Sequence, residues 1–172
     1  VIQGRLSPPI EGFQECPKNW KREFVIAKEI GLTHIEWVIT KNRFEENPLL
    51  REDLTQYPIS SICADFIIDQ EFFSSSVILK RLNRVCKAAE KSGVNHVTLP
   101  LLEGSDVSEK QARKQAIALI RELVKTFPTI EFLIEAELGF DSTADVLTDI
   151  PEVGIVYDTG NMTTVGVDHE QY

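Results

Sequence analysis

Cysteine, histidine and basic charge are all scarce in this chain. Cys16, Cys63 and Cys86 form an odd set without metal-ligand spacing. They read as reduced thiols in the core of a cytoplasmic protein, which excludes a disulfide framework. The 18 Lys and Arg are outnumbered by 27 Asp and Glu, for a net charge of −9. A surface that follows a nucleic-acid backbone needs clustered Lys and Arg, so nucleic acid is excluded as a partner. An anionic small molecule is not, because it needs only one local cation. No apolar run is long enough to span a bilayer, which excludes a membrane partner of that kind. No signal-peptide pattern opens the chain, which begins at Val1. The Gly-rich phosphate loop of a doubly wound sheet is absent as well. The first β-like segment, IQGR, runs into LSPPIEG instead.

What is present is a repeating unit. With 172 residues, 42% of them hydrophobic, the chain suits one domain, 1–172, with a sizeable core. Helix-period segments at 19–31 and 77–93 each end in Gly and are followed by β-branched segments, LTHIEWVI and VNHVTLPLL. Gly31 and Gly93 suit the left-handed residue that ends a helix. Phe24, Ala27 and Ile30, and then Leu79, Leu82, Val85 and Ala89, recur at helical spacing and should face a sheet. A further helix over 108–127 has Ser108 as its expected N-cap and stops at Pro128. Six strands are expected, at 2–5, 32–39, 61–68, 94–102, 129–138 and 153–158, with one or two helical turns at 142–149. Strands that alternate with helices about every 25–35 residues imply βαβ units and a parallel sheet. An α/β barrel accounts for the pattern better than an open sheet, because polar residues fall at strand end after strand end.

Those residues are Arg5, Glu36, Asp65, Glu103, Glu135 and Asp158. Buried carboxylates are costly unless paired or bound to a metal, so their recurrence points to a common polar centre. Glu103, beside Gly104, reads as a solvated loop residue. Glu36 and Asp65 admit structural and functional readings equally. Glu135 and Asp158 each interrupt an apolar strand, which favours function.

Four stretches, QGRLSPP, GLTHIEW, FLIEAEL and VYDTGNM, resemble in order and spacing the xylose-isomerase-like TIM barrels, in particular the sugar phosphate isomerase/epimerase group. The resemblance covers essentially the whole chain and implies a (β/α)8 barrel. It implies that Glu135 and Asp158 are ligands of one divalent metal (Mn, Mg, Co or Zn) and that Glu135 is also the catalytic base. Arg5, Glu36, Asp65 and Asn161 are then candidates for substrate contact. Many relatives carry a His where Asn161 stands; Asn can hydrogen-bond but cannot carry a proton. The implied chemistry is carboxylate-mediated proton transfer on a sugar or sugar phosphate through an enediolate. A salt bridge to Glu36 is an equally good reading of Arg5. Glu137 shares strand parity with Glu135 and is an alternative ligand. Gly160 is expected to allow a tight turn after Asp158.

The family's remaining ligands, a His and a Glu on strands 7 and 8, have no counterpart here. Such barrels run to about 250 residues. The expectation is therefore an incomplete barrel of about six parallel strands, truncated at its C-terminus, with strands 7 and 8 absent. Its edges would be unpaired and its metal binding weak. A polyol dehydratase or aldolase on the same barrel and a non-catalytic barrel fragment are the competing readings. An abasic-site endonuclease is disfavoured by the acidic charge and the three histidines. A homo-oligomer is compatible with any of these. His34 and His96, at strand starts, should be structural, and His169 should open the helix after the sixth strand. Trp20 and Trp37 should pack in the core. Phe66, Phe72 and Phe73 are read as packing first, and as a substrate wall second.

Overall fold

The computed structural model describes residues 1–8, 15–52, 54–69, 71–166 and 168–171. Five strands form one parallel sheet: β1 Ile35–Val38, β2 Ile59–Cys63, β3 His96–Pro100, β4 Glu131–Glu135 and β5 Gly154–Val156. Their spatial order is their chain order. Helices α1 Trp20–Glu29, α2 Pro48–Arg51, α3 Ser76–Ser92, α4 Lys110–Thr126 and α5 Phe140–Asp149 fill the intervals, and α6 Thr159–Thr164 follows β5. Sequential parallel pairing with helical crossovers is the construction of a barrel wall.

Successive side chains of a strand point to opposite faces. One face of this sheet is apolar throughout. Trp37, Ile39, Ile62, Val97, Leu99, Phe132 and Ile134 are buried there. They belong to one cluster in which Leu82, Val85 and Ala89 of α3 and Ile117, Ile120 and Leu123 of α4 take part. The other face carries Glu36, Cys63, Thr98, Leu133, Glu135 and Gly154, and it is the face on which acids collect. Gly154 is fitted to its neighbour, since a Cβ there would stand 2.7 Å from Leu133 Cδ2.

The first of the six expected strands, at 2–5, is reduced to one parallel bridge between Ile2 and Glu36. Gln3 N–H still donates to Glu36 O at 2.9 Å, but Gly4, at φ 81, then turns the chain out of the ladder. The strand expected over 61–68 stops at Cys63, and Asp65–Asp69 forms a 3-10 turn. Asp65 thus follows β2 rather than ending a longer strand. Glu36 is the second residue of β1, not its end. The helix expected from Ser108 begins at Lys110 with Glu109 as N-cap. Ser108 instead closes a local turn, its N–H and hydroxyl both donating to the Asp106 carboxylate. Gly31 and Gly93 have φ 82 and 72, the left-handed conformation expected of them. The segment at 142–149 belongs to the ten-residue α5.

Trp37 packs edge-on to Trp20 at 5.4 Å and stacks with Phe24. Its indole N–H donates to Asn47 Oδ1 at 3.0 Å, and the same oxygen accepts Leu49 N–H, capping α2. Asn47→Ala removes the cap and orphans a buried indole donor. It should cost about 2–3 kcal/mol in urea unfolding. Asn42→Ala, at an exposed position, should stay within about 0.5 kcal/mol of the parent.

Candidate active site

Glu135 is the last residue of β4, and Asp158 stands two residues beyond β5 as the N-cap of α6. β4 and β5 are paired neighbours, with Glu135 opposite Val156. One residue joins the two acids. Asn161 donates its backbone N–H to Asp158 Oδ1 at 2.9 Å and its side-chain Nδ2–H to Glu135 Oε1 at 3.0 Å. Asp158 thus caps α6 while Asn161 links it to Glu135. Gly160 serves this arrangement by leaving room, not by a tight turn: a Cβ there would lie 3.0 Å from Asp158 Oδ1.

The electrostatics follow from burial and like charge. Burial, then the Asp158 and Glu36 charges, push Glu135 from the ordinary 4.5 up to about 7; the Asn161 hydrogen bond opposes this, and Asp65 adds to it. Glu36 lies deeper, its Oε1 accepting the Ser61 hydroxyl at 3.2 Å. Asp65 is raised to about 6 by burial and by Asp69, Glu103 and Glu15, with Lys41 opposing. Asp65 thus lies between the Glu135 centre and a second group of charges on the loops after β1, β2 and β3. In that group Lys41 pairs with Asp69 at 2.5 Å. Ser105 ties the two later loops together, donating to Ile67 O and accepting Phe72 N–H.

Of the six residues singled out as site candidates, Glu36, Asp65 and Asp158 therefore all act on the carboxyl group of a fourth, Glu135, and Asn161 touches both Glu135 and Asp158. Arg5 is exposed, on the turn after Gly4, and is not among the charges that shift Glu135 or Asp65. Glu137 is exposed beyond β4. His96 pairs with Glu131 at 3.1 Å at the start of its strand, and His34 precedes β1, both at the N-terminal end of the sheet. His169 lies in a 3-10 turn, bonded to Tyr157 and Thr163, after α6 rather than at its start. Phe66 and Phe72 are buried in the core with Phe73 packed against it, so packing is their role.

Two groups on the acidic face, Cys63, read from the sequence only as a core thiol, and Thr98, were not singled out as site residues. Cys63 is pushed well above its usual range by burial and by Glu36, Asp65 and Glu135, which keeps it a neutral thiol. Thr98 is 2% exposed, and its Oγ1 has no hydrogen-bond partner among the described residues. Both share a face with the acids by strand parity, which was the available signal. Cys16 and Cys86 are likewise held up to about 12, chiefly by burial.

The carboxylates of Glu135 and Asp158 are hard oxygen donors of the kind that hold divalent ions, and each uses one oxygen on Asn161. They fit such an ion as part of a ligand set. No group of three or more His, Cys, Asp or Glu placed to hold a metal occurs among the described residues.

The fold is that of the xylose isomerase-like TIM barrels. The IolI protein, solved with a bound zinc atom, superposes with a TM-score of 0.68 at 17% identity, covering 88% of this chain and 62% of that one. The probable 3-DHS dehydratase AsbF of Bacillus anthracis, involved in petrobactin synthesis, gives 0.62 at 17% identity, over 87% of this chain and 61% of that one. A xylose isomerase-like TIM barrel protein of Mycobacterium smegmatis, in complex with magnesium, gives 0.62 at 20%, over 92% and 62%. The chain thus spans about three-fifths of the length of these solved proteins. No protein-family model and no curated protein matches the sequence. Among the described residues no helix is long and apolar enough to cross a membrane.

The raised carboxyls set a pH dependence. Between 4.5 and about 7 the folded protein keeps a proton on Glu135 that the unfolded chain releases. Stability from this group is therefore lost as pH rises through that interval. In metal-free buffer, Glu135→Gln should gain urea-midpoint stability relative to the parent on going from pH 4 to pH 8. A difference independent of pH would contradict the assignment.

Proposed function

We propose that this chain carries the metal- and base-bearing side of a barrel enzyme, a metal-dependent isomerase or epimerase of a sugar or sugar phosphate. The observation that carries the reading is the Asn161 bridge. It holds two carboxylates together at the ends of adjacent parallel strands, one of them tuned to about 7. In parallel barrels that end of the sheet is where active sites form. A carboxyl group near neutrality is suited to take and return a proton at working pH.

Glu135 and Asp158 would hold a divalent ion, as the zinc and magnesium of the structural neighbours suggest. When bound, such an ion supplies Lewis-acid polarisation of a substrate carbonyl. Glu135 would take the proton from the carbon beside that carbonyl, leaving an enediolate, and return it to the neighbouring carbon for isomerisation; for epimerisation a second acid on the other face would deliver a proton there while Glu135 keeps the first. Asn161 orients Glu135 and, lacking a titratable group, leaves the proton on the carboxyl. Glu36 and Asp65 line the substrate's side of the cluster, and Arg5 meets an anionic or hydroxyl group of the sugar. The fold likeness to AsbF supports a dehydratase as the second reading, with the same base and loss of water from the substrate.

Incubation of the full-length protein with a sugar panel in D2O separates these readings. The isomerase predicts deuterium at the carbon next to the carbonyl without loss of water, and Glu135→Gln should abolish it while leaving the circular dichroism spectrum unchanged. Exchange that survives the substitution removes Glu135 from the chemistry. For the metal, Asp158→Asn should weaken Mn2+ binding by about tenfold or more in a calorimetric titration, about 1.4 kcal/mol.

A further inference from the structure

Glu23 is a buried carboxylate that the chemistry above does not use. It lies in the first turn of α1 and is 2% exposed. Its Oε2 accepts Gly4 N–H at 2.7 Å; its Oε1 accepts Leu6 N–H at 3.1 Å and the Ser7 hydroxyl at 2.7 Å. These contacts begin where the sheet ladder ends. Gln3 N–H is the last of this segment to donate to β1, and from Gly4 onward Glu23 takes over. Gln3 also fixes the segment beside β1, its Nε2–H donating to Val38 O at 2.9 Å. The segment runs parallel to β1 from the Ile2–Glu36 bridge, so Gly4–Ser7 lies toward the C-terminal end of the sheet. That is the end at which Glu135 and Asp158 stand.

A charged carboxylate engaged by three donors is a strong local restraint. Helix packing alone does not need it, because an apolar residue would fill the same space without a desolvated charge. Its effect is to hold in one shape the turn that carries Arg5. We propose that Glu23 is a positioning residue: it fixes the Gly4–Ser7 turn so that Arg5 presents its guanidinium at the barrel mouth to an oxyanion of the substrate, a phosphate or a carboxylate. This deepens the functional reading and rests on the mouth being a substrate site, but its test needs no turnover. It assigns the substrate to the anionic class, such as a sugar phosphate or a sugar acid. The chain's acidity makes one fixed cation the means of admitting such a molecule.

The test follows the Arg5 Nε–H resonance in the full chain during titrations with inorganic phosphate and with acetate. The parent should show a saturable shift with one of them, and which one tells a phosphate from a carboxylate. Glu23→Gln offers one acceptor and places an amide N–H against a backbone donor, so the turn should loosen. The Gly4 and Leu6 amides should exchange faster, and the anion should bind about tenfold more weakly. Glu23→Asp, which keeps the charge, should recover part of the affinity. Should Glu23→Gln fail to fold, Ser7→Ala removes one of the three contacts and should weaken the anion in the same direction. An Arg5 resonance blind to both anions overturns the proposal and leaves the isomerase reading untouched. Faster amide exchange with unchanged affinity overturns it too, because the clamp would then be structural only. Loss of metal binding by Asp158→Asn together with normal anion binding would support the clamp whatever reaction the barrel runs.

Discussion

A parallel strand sends successive side chains to opposite faces, and this sheet uses the two faces for incompatible purposes. One is sealed by α3 and α4 over Ile62, Val97, Leu99, Phe132 and Ile134. The other gathers Glu36, Glu135 and, past the strand ends, Asp65 and Asp158, close enough that the other three all act on Glu135. The cost of placing like charges together is borne by the apolar face, whose burial is worth about 1.5–3 kcal/mol per large side chain. Crowded acids of this kind at the C-terminal end of a parallel sheet are the physical ground of the proposed site.

Asn161 turns that electrostatic crowding into a defined geometry. It reaches Glu135 through its side chain and Asp158 through its backbone, so a change in α6 is felt at both acids. A histidine in this place would add a proton carrier; an amide adds only orientation. Glu23 acts similarly at the opposite margin of the sheet, trading the N–H groups that would have continued a strand for contacts with a buried carboxylate. Both devices fix the chain through side-chain hydrogen bonds where it leaves the sheet.

Much of the architecture was legible because it depends on local periodicity. Leu82, Val85 and Ala89 announced the buried face of α3, and Gly93 its end. Glu135 stood out because it interrupts an apolar strand, and it is the last residue of β4. What failed to show depends on contacts distant in sequence. IQGR has the look of a strand, but Glu23, nearly twenty residues away, competes for its N–H groups. SICADFII is apolar almost throughout, yet Phe66 and Ile67 are buried from a 3-10 turn, not from a strand. Ser108 has the chemistry of an N-cap, and Asp106 claims it first. Glu23 itself reads as an ordinary acid in a helix's first turn, favoured there by the dipole, so its burial left no mark in the pattern.

The account turns on Glu135 and Asp158 forming one ion-binding centre. Mn2+ added in substoichiometric amounts to protein labelled with 13C at its carboxyl groups tests this most directly, since the ion broadens the resonances nearest to it. The Glu135 and Asp158 carboxyl signals should broaden together and before any others. Broadening that begins at Asp69 and Glu103, with Glu135 and Asp158 still sharp, would place the ion on the loops after β2 and β3 and contradict the site.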